Sequence, residues 1–599
     1  MRAYPPIPPD MPTDPENVKV QLDRILNSRP FVRSTRLRRF LEFCVQQVLA
    51  GRADALKEQV IGVEVFDRAS DYDPRIDPIV RVEARRLRAK LKAYYGSPGR
   101  TDVLLIGLPK GSYVPVFRSR AAASPAPIAI RPVQPAPETG PKSIAVLPFA
   151  NLSTDPDEDY FSDGLAEELI HRLTRIENLR VVAWPSASRL RGREEDLAGI
   201  RQQLRVDTIL RGSVRRTPGR VRVTAQLIAT ASGDYLWSGA YDRDTENIFV
   251  IQEEIARAIV RALQPTLVVQ SPRLRKQSPQ ALASYQLCLQ GKYLANARTR
   301  NGLERSLTRF EEAILADPSS AQAHSGLADA YSLLADYGFL SPLEAAPRAL
   351  AAAENALKLD PDSAEAHVSL AFIRAWFEWK YEDAERLYRT AIALNPGDSR
   401  AHHWLGVDHL ALMGRFDEAA TEMDRARDLD PLSAIIYEGC GYVQMLSRNY
   451  TGAMAIYRDL TDIAPSFHKG RSSMGRVLSL LGRYEEAIVA FEQARSLDGD
   501  TPSILGALGQ TLAAAGRIAE AQSLLQKLET MSQAQWVPAS SLAIVHVGLG
   551  NHQTALQFLE TAADQRELPI TALKVHPLYD PLRSEPRFER LLRRLGFLP

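Results

Sequence analysis

Between residues 318 and 499 a proline or glycine returns at a nearly fixed interval, and this repeat limits the possible folds more than any other feature. The positions are Pro318, Pro361, Pro396, Pro431, Pro465 and Gly499, separated by 43, 35, 35, 34 and 34 residues. A breaker at that spacing marks units of two short helices, and a single such unit cannot bury its apolar face alone. The units must therefore stack, each leaning only on its neighbours. The cleanest one carries Gly475, Leu478, Gly482, Tyr484, Ala487, Phe491 and Ala494, with small residues where paired helices touch and aromatics filling the gap. Ala384, Ala419, Ala453, Ala521 and Ala555 repeat the small position in other units.

This signature resembles the tetratricopeptide repeat (TPR), and the resemblance covers about half the chain. It implies an all-α TPR solenoid over residues 280–599, of about eight units, with the second lengthened around Tyr337 to Pro347. The basic segment Arg587 to Leu595 reads as a capping helix. Stacked pairs leave a concave surface lined by first helices, a shape suited to an extended peptide or a partner helix. Tyr331, His402, His403, Tyr437, Gln444 and Arg476 are the candidate partner-binding residues there, each of which also reads as an ordinary repeat position. His402, His403, Asp408 and His409 form a histidine-rich patch, but they fall on the first helix of a unit, and no metal site is expected.

A different pattern occupies Asp77 to Tyr95. Pro78 suits a first helical turn, and Asp77 before it can cap the free amides. Val80, Ala84, Leu87, Leu91 and Tyr94 fall on one apolar stripe. Arg85 and Arg86 flank the opposite direction with Val82 and Ala89 between them, and Arg81, Arg88, Lys90 and Lys92 lie further round. Small residues between arginines suit a helix pressed into a DNA groove, where guanidinium forks reach phosphates and guanine edges; the plainer reading is a solvated basic face. Residues 1–120 hold 22 Lys and Arg against 14 Asp and Glu, a balance of +8, while the whole chain is +2, so the other 479 residues sum to −6. The positive charge is concentrated where a phosphate-binding domain needs it.

Leu56 to Phe66 reads as a short helix before this one, and Val103 to Phe117 as two strands around Pro109 to Ser112. VRVEARRLRAKL resembles the recognition helix of OmpR-type winged-helix regulators, and KGSYVPVF resembles their wing. The resemblance implies an α+β winged-helix domain over 18–118 that binds duplex DNA through Arg81, Arg85, Arg86, Arg88, Lys92 and Lys110. Residues 119–141, with six prolines among alanines, read as an extended linker. Over 142–265 the order is strand (Ser143 to Phe149), helix (Tyr160 to Ile176), strand, polar helix, three strands and a helix (Ile248 to Leu263). AVLPF, YFSDGLAEELIHRL, ILRGSVRR and YLWSGAYDRD in this α/β segment resemble the TolB-like domain found beside TPR arrays in bacterial signalling proteins. The chain as a whole resembles bacterial proteins joining a winged helix, a TolB-like domain and TPR repeats.

At 599 residues and 45% hydrophobic, the chain can hold three such domains. The start, MRAYPPIPPDMPTDP, lacks the apolar core of a signal peptide, and no long apolar run would span a membrane, so a cytoplasmic protein is expected. Cys44, Cys288 and Cys440 lie far apart in apolar patterns, which argues for buried thiols rather than metal ligands or disulfides. The acidic run Asp155 to Asp163 reads as loop solvation, and Arg211 to Arg222 as a solvated sheet face. No G-x-x-x-x-G-K-[ST], G-x-S-x-G, C-x-x-C or G-x-G-x-x-G occurs, and neither enzyme activity nor a cofactor is expected. Relatives of the TolB-like and TPR segments are sometimes fused to adenylate cyclase domains, for which this sequence has no segment left. Two functions remain: a DNA-binding transcriptional regulator or signalling adaptor whose repeats receive a protein, or a non-enzymatic interaction scaffold. The sequence leaves oligomeric state open.

Overall fold

A computed structural model describes residues 15–119, 142–263 and 278–598, apart from 29–30, 33, 70–71, 74–76, 97–98, 100–101, 103, 110–111, 154–158, 177, 218, 245–247 and 297. The chain forms two compact units, Met1–Pro137 and Glu138–Pro599. The linker expected at 119–141 lies, but for its first residue, outside the described residues.

In the smaller unit, helices α1 (Pro15–Leu26), α2 (Thr35–Leu49), α3 (Glu58–Phe66) and α4 (Ile79–Gly96) precede an antiparallel hairpin, β1 (Leu104–Gly107) and β2 (Val116–Ser119). Asp77 caps α4 as its position requires, accepting from the Ile79 amide at 3.1 Å. Val80, Ala84, Leu87, Leu91 and Tyr94 are all buried, in one core with Phe40, Leu41, Ile61, Val65 and Ile106. The apolar stripe therefore fixes which side of α4 faces inward.

The larger unit begins with β3 (Lys142–Val146), β4 (Ala150–Asn151), α5 (Asp159–Leu173), β5 (Leu179–Val181), α6 (Trp184–Ser188), α7 (Leu197–Leu204), β6 (Thr208–Thr217), β7 (Arg220–Ala229), β8 (Tyr235–Asp244) and α8 (Ile248–Leu263). The sheet order is β5-β3-β6-β7-β8, parallel around β3 and antiparallel from β6 to β8, with β4 beside β6. One face packs against α5 and α8, and the other carries Leu190, Ile200 and Leu204.

Eight helix pairs follow among the described residues. They are α9 (Pro279–Asn296) with α10 (Arg300–Ala316), α11 (Ala321–Asp336) with α12 (Pro342–Leu359), α13 (Ala364–Trp376) with α14 (Tyr381–Leu394), and α15 (Ser399–Leu405) with α16 (Phe416–Leu429). Then come α17 (Ala434–Leu446) with α18 (Tyr450–Ile463), α19 (His468–Leu480) with α20 (Tyr484–Asp498), α21 (Pro502–Ala514) with α22 (Ile518–Ser532), and α23 (Ala539–Gly548) with α24 (His552–Asp564). Caps set the helix starts: the side chains of Thr299, Ser320, Ser363 and Asn449 each accept from the amide three residues on. Gly482 takes a φ of 73° in the turn between α19 and α20, a conformation that costs glycine least. One apolar cluster runs from Ala335 in the second pair to Ala521 in the seventh.

The end of the chain folds back. Helix α25 (Pro586–Arg594) and the turns before it reach pairs three to five: Phe597 stacks on Tyr381 at 5.0 Å, the Arg566 guanidinium sits 3.5 Å over Trp379, and Arg448 pairs with Asp580 at 2.9 Å. The cap thus braces the middle of the solenoid.

The sheet segment is fastened to the repeats. Tyr285 and Leu289 of α9 lie in the core under α5 and α8, and Tyr285 accepts from Gln252 at 2.6 Å. Gly164 lets α5 come this close, because a Cβ there would stand 2.7 Å from Leu289. The Ala183 amide donates to the Leu429 carbonyl (2.8 Å), Arg180 to that of Asp428 (3.0 Å) and Arg189 to that of Ile463 (3.1 Å), while Ser186 bonds Asp430. Cys44, Cys288 and Cys440 are buried thiols. No helix among the described residues is long and apolar enough to cross a membrane.

Candidate functional site

Because α5 faces the first helices of the repeats, the two enclose a cavity of about 380 Å³. Glu167, Glu168 and His171 enter it from α5, and Lys292, Asp329, Glu365, Arg400, His403, Glu438 and Lys469 from successive first helices. Lys292 reaches Glu365 at 3.3 Å, Arg400 pairs with Asp329, and Glu168 accepts from Gln322 at 2.8 Å. The Lys292 ammonium holds the Glu365 carboxyl far below its ordinary range. Glu167 has no such pairing: burial pushes its carboxyl up to about 7.

Further along, Asp408 lies in a π turn, Gly406–Leu410, closed by an Ala411 amide to Gly406 carbonyl bond of 3.0 Å. One extra residue in that turn re-aims the rest of the helix, and such turns recur at functional positions. Burial, then the nearby Asp336 and Glu438 carboxylates, raise the Asp408 carboxyl well above the usual range. His403 is 7% exposed, and burial drives its imidazole down to about 3, leaving it neutral.

Of the partner-binding residues expected from sequence, His403 alone lines this cavity. His402 is buried and occupied within the fold, its Nδ1 2.6 Å from Glu422 and its Nε2 3.2 Å from the Pro396 carbonyl. Tyr331 is buried beneath the Arg348 guanidinium. Gln444 accepts from Asn449 at 2.6 Å, and Tyr437 and Arg476 are half-buried. These residues do not form one exposed peptide contact. His409 turns to Glu385 at 3.3 Å, so the histidine patch is divided among three surroundings, and no metal-holding group occurs among the described residues.

Most cavity residues were not singled out from the sequence, yet a signal was present. The second residue of successive first helices is Gln322, Glu365, Arg400, Ile435 and Lys469, spaced 43, 35, 35 and 34, the intervals of the breakers themselves. Three of the five, Glu365, Arg400 and Lys469, are charged and line the cavity.

On α4, Arg85 and Arg86 are exposed, and so is Val82 between them, at 44%. Arg86 pairs with Glu83 at 2.7 Å and keeps 67% of its side chain exposed. Arg81 makes two bonds to Glu58, at 2.7 and 3.0 Å. Arg88 is turned to the hairpin, donating to the carbonyls of Leu108, Pro109 and Ser112, and so positions the loop rather than offering a free guanidinium. Lys110 and the side chain of Lys92 lie outside the described residues, as do Asp155, Asp157 and Glu158 of the acidic run. In the arginine-rich strands, Arg220 pairs with Asp242 and Arg216 covers the Phe161 ring.

The tetratricopeptide repeat family matches residues 379–438 and 478–535. The carboxy-terminal part therefore carries TPR repeats, stacked as a mostly helical solenoid. Over 203 residues the chain is 37% identical to "Putative adenylate cyclase 3" of Rhizobium meliloti (strain 1021), covering 32% of this chain and 33% of that protein. Over 131 residues it is 25% identical to anaphase-promoting complex subunit 3 of Schizosaccharomyces pombe, covering 22% and 20%. The chain spans a third or less of the length of these curated relatives. Among solved structures, the human IFIT1 dimer with m7Gppp-AAAA aligns with a TM-score of 0.38 at 16% identity, covering 53% of this chain and 79% of that one.

Proposed function

We propose that this protein is a non-catalytic interaction scaffold whose repeats hold a protein or peptide partner. The observation that carries this reading is the continuous apolar spine through pairs two to seven, braced by the cap, which makes the repeats a rigid platform. Along the early pairs α5 lies over the inner first helices, so there the partner meets the outer second helices and the edges between pairs. Cross-linking of the full chain to a captured partner, read by mass spectrometry, should map contacts to residues 279–598. Contacts confined to residues 15–119 would overturn the reading. Purified protein should form no cyclic nucleotide from ATP or GTP.

A second reading is favoured by α4. Residues 18–118 would be an OmpR-like winged helix, 142–265 a TolB-like coupling domain, and 280–599 the TPR receiver of a transcriptional regulator. The exposed pair Arg85 and Arg86, flanking Val82 on a helix whose opposite side is wholly buried, supports it. Duplex DNA binding by the full chain should weaken steeply with salt, because phosphate contacts release counterions. Arg85→Ala with Arg86→Ala should cost about tenfold or more in affinity, as one good bidentate base contact is worth roughly 1–3 kcal/mol. Unchanged binding by the folded double variant would refute the assignment of this face.

A further inference from the structure

The cavity between α5 and the repeats carries more carboxyl groups than its own pairs use. Nine of its lining residues are carboxylates and four are lysine or arginine. Asp329, Glu365 and Glu168 are satisfied by Arg400, Lys292 and Gln322. Glu438 accepts from Ser473 at 2.7 Å. The Glu167 and Asp408 side chains make no hydrogen bond or ion pair among the described residues, and they belong to opposite walls: Glu167 to α5, Asp408 to the π turn of the fourth repeat. Their charged neighbours differ as well, Lys292 and Glu365 for the one and Asp336, Glu438 and Lys469 for the other.

Two buried groups add an independent sign of a missing occupant. His403, 7% exposed, has no hydrogen-bond partner among the described residues, although its ring lines the cavity. Ser332, 1% exposed, also lines it, and its hydroxyl is without a partner. A buried polar group gains from a partner, and an occupant of this cavity could supply one to both. The aromatic lining suits positive charge. Lys469 already sits 4.0 Å over the Tyr337 ring, and Arg400 5.3 Å over Trp404.

We propose that this cavity binds a small linear organic dication of the aliphatic diamine or polyamine class, one ammonium at Glu167 and the other among Asp408, Asp336 and Glu438. An anionic ligand would meet the excess of carboxylates. A metal ion would need several donors converging on one point, and none of the described His, Cys, Asp and Glu residues do so. A peptide backbone would need more room, since cavities near 300–1,000 Å³ hold single small molecules. The assignment does not depend on the scaffold or the DNA-binding reading.

Isothermal titration of the full chain with putrescine and with spermidine tests it, with butylamine and 1,4-butanediol as single-charge and neutral probes. The expected result is saturable one-to-one binding of a diamine or polyamine, at least tenfold weaker binding of butylamine, and none of butanediol. Glu167→Gln and Asp408→Asn should each weaken binding at least tenfold. The two stand on different elements, so the folded one decides if the other fails to fold. No binding of either polyamine, binding unchanged in both variants, or butylamine binding as tightly as putrescine would each overturn the two-pole assignment.

Discussion

On α4 of the smaller unit, Arg81 and Arg86 keep 57% and 67% of their side chains exposed while their carboxylates Glu58 and Glu83 keep 19% and 7%; around the cavity of the larger unit, both members of the Lys292–Glu365 pair are covered, at 18% and 27%. The same chemical pairs serve different ends. Where one partner is solvated the pair is partly screened, so an exposed guanidinium is held less tightly than a cation covered on all sides. Pairs inside a cavity have lost their hydration and depend on one another, so removing one partner strands the other. The contrast predicts where a substitution will be felt as lost stability and where only as lost binding.

The largest effect should come from Lys292→Met. It removes the nearest cation from the Glu365 carboxylate, leaving His171 at 3.8 Å, and because the pair is partly buried the cost should lie toward the lower end of the roughly 3–5 kcal/mol of a fully buried pair. Denaturant unfolding followed by tryptophan fluorescence measures it. Lys292→Met with Glu365→Leu should recover most of the loss. A single-variant cost below about 1 kcal/mol would place this pair with those of the surface.

The second effect depends on pH. Glu167 holds its proton up to about pH 7 in the fold, against an ordinary 4.5, so its contribution is fully present below 4.5 and is lost as pH rises through 7. His403 acts in the opposite direction: its folded value near 3 lies below the ordinary 6.5, so its contribution is present above 6.5 and is lost as pH falls toward 3. Glu167→Gln should therefore match the parent at pH 4 and exceed it at pH 8 by about 1–3 kcal/mol. Parallel stability curves for parent and variant between those pH values would show that Glu167 is solvated.

Next is Arg88→Ala in the smaller unit, which strands the carbonyls of Leu108, Pro109 and Ser112 near the surface. A cost of about 1–2 kcal/mol is expected, because these bonds are charge-assisted but partly open to water. Arg88→Lys should restore only part of it, since one ammonium cannot span all three acceptors.

Much of this contrast was legible in the sequence, and the part that was not has a physical reason. The stripe from Val80 to Tyr94 is read from helical spacing alone, and all five residues are buried. The breakers from Pro318 to Gly499 mark the repeats because each pair folds on short-range contacts. The seating of α5 on the inner face is a different matter. It depends on Gly164 meeting Leu289 and on Arg180 reaching Asp428, contacts between segments more than a hundred residues apart whose local patterns are complete without them. His402 and His403 illustrate the same limit. They are neighbours in sequence, yet one is satisfied by Glu422 while the other faces the cavity.

The smallest expected effect on stability separates binding from folding most clearly. Arg85 is exposed on α4 and makes no hydrogen bond or ion pair among the described residues, unlike Arg81, Arg86 and Arg88 on the same helix. No described residue of the unit pairs with its charge. Arg85→Ala should thus leave unfolding within about 0.5 kcal/mol of the parent, as surface changes without partners do. The same substitution should weaken duplex DNA binding and lower its salt dependence by about one phosphate contact. Arg88→Ala should behave in the reverse manner, losing stability first and DNA affinity only through the displaced loop. If both variants lose affinity in proportion to stability, the basic face of α4 is a solvated surface and the DNA-binding reading falls.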